Sequence, residues 1–152
     1  MILLRFILVF CIFLASEAYA LDARLVLTNN DNGKELLVVP VSKDENFCIK
    51  YTHSVALSIV EDWFSINTDG IFLEKTIYAD FGAGLPHDVD SGQIMTFKDG
   101  KIFINGLHRK VSPFAVRVGR IANHILLINN KEIPLSSLID KGKAITFSVR
   151  EQ

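Results

Sequence analysis

The sequence predicts an all-β fold: a single-domain antiparallel β-sandwich or barrel-like fold of about ten short strands. Three observations carry this. Apolar, β-branched and aromatic residues fall in short runs, and no segment shows a long stripe of 3.6-residue period. Turn-forming residues separate the runs at even spacing, as in sandwiches and barrels. No internal repeat, low-complexity tract or linker divides the chain.

The elements follow in order. Arg24 to Thr28 is a β-type run, and the dense turn signal Asn29-Asn30-Asp31-Asn32-Gly33 ends it. Glu35 to Val41 is the second, with Pro40 marking an edge or strand end because it has no N–H for a ladder. Phe47 to Ser54 and Ile59 to Asn67 come next, and Thr68-Asp69-Gly70 turns the chain into Ile71 to Ala79. A glycine-rich loop, Phe81 to Gly92, leads to Gln93–Phe97 and Lys101–Asn105. These flank Asp99-Gly100, the strongest hairpin signal present. Phe114–Val118, His124–Ile128, Glu132–Leu135 and Ala144–Val149 complete the set, with a hairpin-type turn at Asn129-Asn130. Only Ser136 to Ile139 reads as helical, for about one turn.

Much of the positive mean hydropathy, +0.30, sits ahead of these strands. Arg5, the unbroken apolar run Phe6–Ala15 and the small residues of Ala18-Tyr19-Ala20 have the layout of a cleaved signal peptide over residues 1–20. As a membrane anchor the run is too short: ten residues rise ~15 Å as a helix against a hydrocarbon core of ~30 Å. Residues 21–152 are then expected as one periplasmic domain with a single thiol, Cys48, so no internal disulfide can form. Sixteen Lys+Arg against 17 Asp+Glu leave a formal net charge of −1. That balance argues against a dedicated nucleic-acid binder, which carries a clear basic excess.

The stretch from Asn46 to Asn67 is the most informative. Period 2 puts Phe47, Ile49, Tyr51 and His53 on one face. A hairpin pairing about Ala56 sets Lys50 opposite Asp62, Ile49 opposite Trp63 and Cys48 opposite Phe64, favourable cross-strand pairs. That register brings His53 and Glu61 to one face within reach, with Tyr51 and Trp63 around them. Such a pair is either a binding or acid–base site or a polar pair that fixes strand register. Ser54 beside His53 does not make a nucleophile, since strand neighbours point to opposite faces and no G-x-S-x-G elbow is present. No catalytic residue is assigned.

The second distinctive stretch is Phe81-Gly82-Ala83-Gly84-Leu85-Pro86-His87-Asp88. Gly82 and Gly84 permit a backbone nest of N–H groups for an anion, or simply a tight corner between strands. It has neither the Gly-Lys-Ser/Thr of a phosphate loop nor the third glycine of a dinucleotide fingerprint. His87, Asp88 and Asp90 lack zinc-type spacing, and Asp88–Gly92 lacks the distal acid of a calcium loop. No metal and no cofactor is expected. A modest basic cluster, His108, Arg109, Lys110, Arg117 and Arg120, suits a carboxylate or an acidic partner face, or a solvated surface. The candidate binding residues are therefore His53, Glu61, Trp63, Gly82, Gly84, Pro86, His87 and Arg117.

Tyr51-Thr52-His53-Ser54-Val55, then Glu61 and Trp63, then Phe81-Gly82-Ala83-Gly84-Leu85-Pro86 together resemble a bacterial domain-of-unknown-function family. Its members are small exported proteins often encoded beside TAXI-type tripartite (TRAP) transporters. The similarity runs from about Leu25 to Val149, and Ala56-Leu57-Ser58 departs from the charged and Thr-Pro residues common there. The resemblance implies no activity. It implies a periplasmic accessory or binding protein of a tripartite organic-acid uptake system. The expected partners are the transporter's membrane or solute-binding components and a small organic acid. The alternatives are a stand-alone periplasmic carboxylate-binding module and a small hydrolase using His53 and Glu61 as acid and base.

Overall fold

Period-2 burial organises the chain into two antiparallel sheets in the computed structural model, which describes residues 23–42, 45–79, 85–86 and 88–151. The leader read over residues 1–20 lies outside the described residues, as do Gly82, Gly84 and His87. The strands are β1 (Ala23–Asn29), β2 (Glu35–Val41), β3 (Asn46–Thr52), β4 (Ile59–Asn67), β5 (Gly70–Tyr78) and β6 (Ile94–Lys98). β7 (Lys101–Lys110), β8 (Phe114–Arg117), β9 (Ile125–Ile128), β10 (Lys131–Pro134) and β11 (Ala144–Glu151) follow. The short helical turn is a 3-10 turn at Leu135–Ser137.

One sheet has four strands in the order β2-β1-β11-β8; the other has seven, β10-β9-β3-β4-β5-β7-β6. Both sheets keep free ends, so the fold is an open β-sandwich and not a barrel. Strand bounds sit within about two residues of those read from the sequence, with one exception. β7 runs on to Lys110 instead of stopping at Asn105. Gly106 and His108 hold left-handed backbone, φ 75° and 38°, so the glycine kinks the strand without ending it.

Register is where the structure corrects the sequence. Lys50 faces Glu61, Ile49 faces Asp62 and Cys48 faces Trp63, one residue away from a pairing about Ala56. The His53 N–H donates to the Ser58 carbonyl at 2.8 Å, and Leu57 takes φ 51°, so the connection reverses between Val55 and Ala56. A one-residue slip exchanges the faces of one strand against the other. The observed choice puts Phe64 opposite Phe47, with the rings stacked at 4.9 Å. It also leaves Glu61 on the Lys50 face, away from Tyr51.

Four phenylalanines join the sheets. Phe47 and Phe64 come from the large sheet, Phe114 and Phe147 from the small one. Their rings are stacked, with Phe47–Phe147 at 6.2 Å, Phe64–Phe114 at 5.1 Å and Phe114–Phe147 at 5.0 Å. Leu25, Leu27, Ile49, Ile66, Ile71 and Ile145 close around them in the main core. A second, smaller core of Val60, Tyr78, Ile102 and Ile104 lies elsewhere on the large sheet. It is capped by Leu85 and Val89 of the β5–β6 loop instead of by a strand. Cys48 is fully buried on the outer side of the large sheet, and burial, reinforced by Glu61 and Asp62, pushes its thiol up to about 12.

Truncating a fully buried phenylalanine leaves a cavity and forfeits its stacking partners. Phe147→Ala is expected to destabilise the fold by about 3–5 kcal/mol, a large share of the total stability of a domain this size. Urea unfolding checks it, and a loss under about 1 kcal/mol would show that the quartet does not hold the sheets together.

Candidate functional site

The small sheet packs on the main core of the large one, and Leu85 and Val89 of the β5–β6 loop pack on its second core. Between the two cores lies a seam. Ile49, Tyr51, Asp62 and Phe64 sit on this inner face because β3 and β4 alternate in the register just described. Across the gap stand Phe114 and Val116 of β8, the edge strand of the small sheet. The result is a cleft of about 400 Å3, within the usual size for small-ligand sites. Its walls are mainly aliphatic and aromatic, with polar groups supplied by Tyr51, Asp62, Arg109 and His124.

Asp62 is the single acid on a strand face otherwise made of Val60, Phe64 and Ile66. The Thr76 hydroxyl, directly opposite on β5, donates to its Oδ1 at 2.7 Å. Burial pushes the Asp62 carboxyl above the ordinary aspartate value, while hydrogen bonds from Thr76 and Tyr51 and the charge of Arg109 pull it back down. The same neighbourhood raises the Tyr51 hydroxyl, so the phenol stays protonated.

Arg109 reaches the cleft through the irregularity in β7. Lys75 pairs with Asn105 and Leu73 with Arg109, so Gly106, Leu107 and His108 stand where β5 has only Glu74. Such a bulge re-aims the residue after it. Glu74 is held from both sides, by the Ser65 hydroxyl at 2.7 Å and by His108 Nδ1 at 3.1 Å, and His108 stacks on Phe72. Gly106 has no substitute here: a Cβ would come within 2.9 Å of the Gly92 carbonyl oxygen. Arg109 is exposed at the mouth and also lines a neighbouring pocket of about 300 Å3 with Pro86, Asp88 and Asp90. Among the described residues neither Arg109 nor Asp62 is in an ion pair within 4.0 Å.

His124 comes from the loop between β8 and β9. That loop is tied down where the Thr52 N–H donates to the Ala122 carbonyl at 2.7 Å and the Leu135 N–H to the His124 carbonyl at 2.9 Å. The imidazole stacks on Tyr51 with centroids 5.3 Å apart. Its Nδ1 is buried and has no hydrogen-bond partner among the described residues. Burial lowers its pKa, so the ring is neutral at pH 7.

Of the residues singled out in the sequence, the described ones, His53, Glu61, Trp63, Pro86 and Arg117, are not gathered into one site. His53 turns inward on its own loop, where Nδ1 accepts from the Ala56 N–H at 3.1 Å and the Val55 N–H at 3.4 Å. Glu61 lies on the other side of the sheet, bonded to Trp63 Nε1 at 3.3 Å and paired with Lys101 at 3.5 Å. The expected His53–Glu61 pair is therefore not formed, because the register turned β4 over. Trp63 shares that outer face, with Lys75 Nζ 4.6 Å above its ring. Pro86 accepts from the buried Tyr78 hydroxyl at 2.6 Å, which anchors the loop. Arg117 lines the cleft, and its guanidinium donates to the Gly142 carbonyl at 2.7 Å.

Tyr51, Asp62, Arg109 and His124 thus form the site. A lone acid on an apolar period-2 face was a usable signal for Asp62. His124 had none, since its place depends on a loop between sheets. These four bring a guanidinium, a carboxyl, a phenol and an imidazole to one apolar cleft, groups that can hold polar or charged parts of a small molecule.

Because folding raises the Asp62 pKa, the group's contribution to stability is full below the unfolded value, about 3.9, and is lost as pH rises through the folded one. Asp62→Asn escapes that loss. The variant is expected to gain on the parent protein as pH rises from 4.5 to 7.5, measured by urea midpoints. A deficit that widens toward neutral pH would reverse the sign of this argument.

A family model described as a domain of unknown function (DUF1850) matches residues 47–135, which is 89 of the 152 residues and runs from β3 through β10. Every cleft residue named above falls inside that span, whereas β1, β2 and β11 lie outside it. Searches of curated proteins and of solved structures returned no match. On the extent of the match, more than half its length, the chain belongs to the DUF1850 family.

Proposed function

We propose that this chain is an exported periplasmic binding protein that captures a small organic acid between its sheets and serves a tripartite (TRAP, TAXI-type) uptake system. The observation that carries the binding reading is Arg109, an exposed guanidinium with no ion-pair partner among the described residues, at the mouth of an apolar cleft. A guanidinium matches a carboxylate with two parallel hydrogen bonds. Walls of Ile49, Phe64, Leu73, Phe114 and Val116 suit an aliphatic or aromatic body. The signal-type leader supports export, and the resemblance to exported proteins encoded beside such transporters supports the link to uptake. A stand-alone carboxylate-binding module is the second reading, favoured by the same cleft.

The binding half is tested by thermal shift with monocarboxylates of four to nine carbons, with and without an amino group, against their neutral amides. At 100 times its Kd a ligand stabilises by about 2.7 kcal/mol. Arg109→Gln is expected to abolish the shift, and Arg24→Gln, which lies outside the cleft, to leave it. Equal shifts from acids and amides would sink the carboxylate reading.

The transport half is tested in cells. The protein is expected in the periplasmic fraction with Leu21 at its N-terminus, and its deletion is expected to reduce organic-acid uptake. Normal uptake together with no transporter component in pull-downs would leave the stand-alone module.

A further inference from the structure

A cleft built only for an anion would hold cations. This one also holds an acid, Asp62, which senses Arg109 without touching it. Arg109 acts on Asp62 electrostatically, yet no ion pair within 4.0 Å joins them. The register explains the gap. Asp62 is on β4 opposite Thr76, while Arg109 is on β7 opposite Leu73, so β5 separates them and they sit three residues apart along it. An ionised Asp62 would repel a plain carboxylate bound at Arg109, and a carboxylate alone would leave the acid without a counter-charge.

We propose that the natural ligand is zwitterionic: an α-amino acid with an apolar side chain, its carboxylate on Arg109 and its ammonium on Asp62. This rests on the carboxylate reading of the cleft and adds a second charged contact to it. Arg109 supplies the fork for the carboxylate. Asp62 accepts from the ammonium while Thr76 and Tyr51 hold the remaining carboxylate positions. Tyr51 and His124, stacked on each other, give an aromatic wall beside the ammonium. The apolar side chain lies against Phe64, Phe114 and Val116. Both signs are then satisfied at once, as a buried charge requires.

The test is calorimetry on the full mature protein with two matched sets. Each holds an amino acid, its deaminated acid and its decarboxylated amine: leucine, 4-methylpentanoate and 3-methylbutylamine; phenylalanine, 3-phenylpropanoate and 2-phenylethylamine. One amino acid is expected to bind at least tenfold tighter than both of its single-charge counterparts. In Asp62→Asn, which keeps the Thr76 hydrogen bond, its preference over the deaminated acid should fall to within about twofold. If a deaminated acid binds as tightly as its amino acid, the zwitterion is wrong and the carboxylate reading stands. A persistent preference in Asp62→Asn would likewise overturn the role of Asp62. If an amine binds tightest, or nothing binds to folded protein, both readings fall.

Discussion

The stack of Phe47, Phe64, Phe114 and Phe147 is the contact on which the rest of the fold depends. It fixes where a four-stranded sheet sits on a seven-stranded one, and the mismatch in width does the rest. Offset-stacked pairs add about 0.5–1.5 kcal/mol each beyond their area burial. They also specify register, because Phe64 reaches Phe47 only when Ile49 faces Asp62. A pairing shifted by one would send Phe64 to the outer side and bring Trp63 and Glu61 inward. The same stacking that closes the main core therefore places an acid on the inner face.

An acid there costs stability. The face around Asp62 is apolar, and a valine or threonine would pack without titrating. Proteins retain such residues where they are used, and the departures from local consistency tend to mark functional ground. Asp62 is surrounded by partial compensation: a hydroxyl on each side, a guanidinium at a distance and a neutral imidazole stacked on Tyr51. Burial outweighs this compensation, and the carboxyl is raised as a result. The His124 Nδ1, buried and unpaired among the described residues, is a second group in the same cleft whose hydrogen-bonding capacity is unmet.

Strand positions were legible because they depend on local pattern. β4, for instance, has the bounds its alternating residues announce. What depends on pairing was not. The turn after His53 admits two registers that differ by one residue, and cross-strand preferences for Lys50 and Ile49 were satisfied on paper by the wrong one. A histidine–carboxylate pair does exist on the large sheet, between His108 and Glu74, 34 positions apart in the sequence. Its two members come together through a bulge that no run of residues declares. Arg109 was visible only as one of several basic residues, since its separation from Lys110 and Arg117 is a matter of which face each one finds.

The bulge and the β5–β6 loop act together. Gly106 is required because the loop backbone at Gly92 lies where a side chain would be. The loop stays there through the Tyr78 hydroxyl on the Pro86 carbonyl and through Leu85, which caps the second core. Remove that cap, and the kink that aims Arg109 loses the surface it leans on. In its described part the loop thus contributes position: it covers a core, presses on Gly106 and sets the direction of Arg109. That gives Leu85 and Pro86 a reason to be where they are without either touching a ligand.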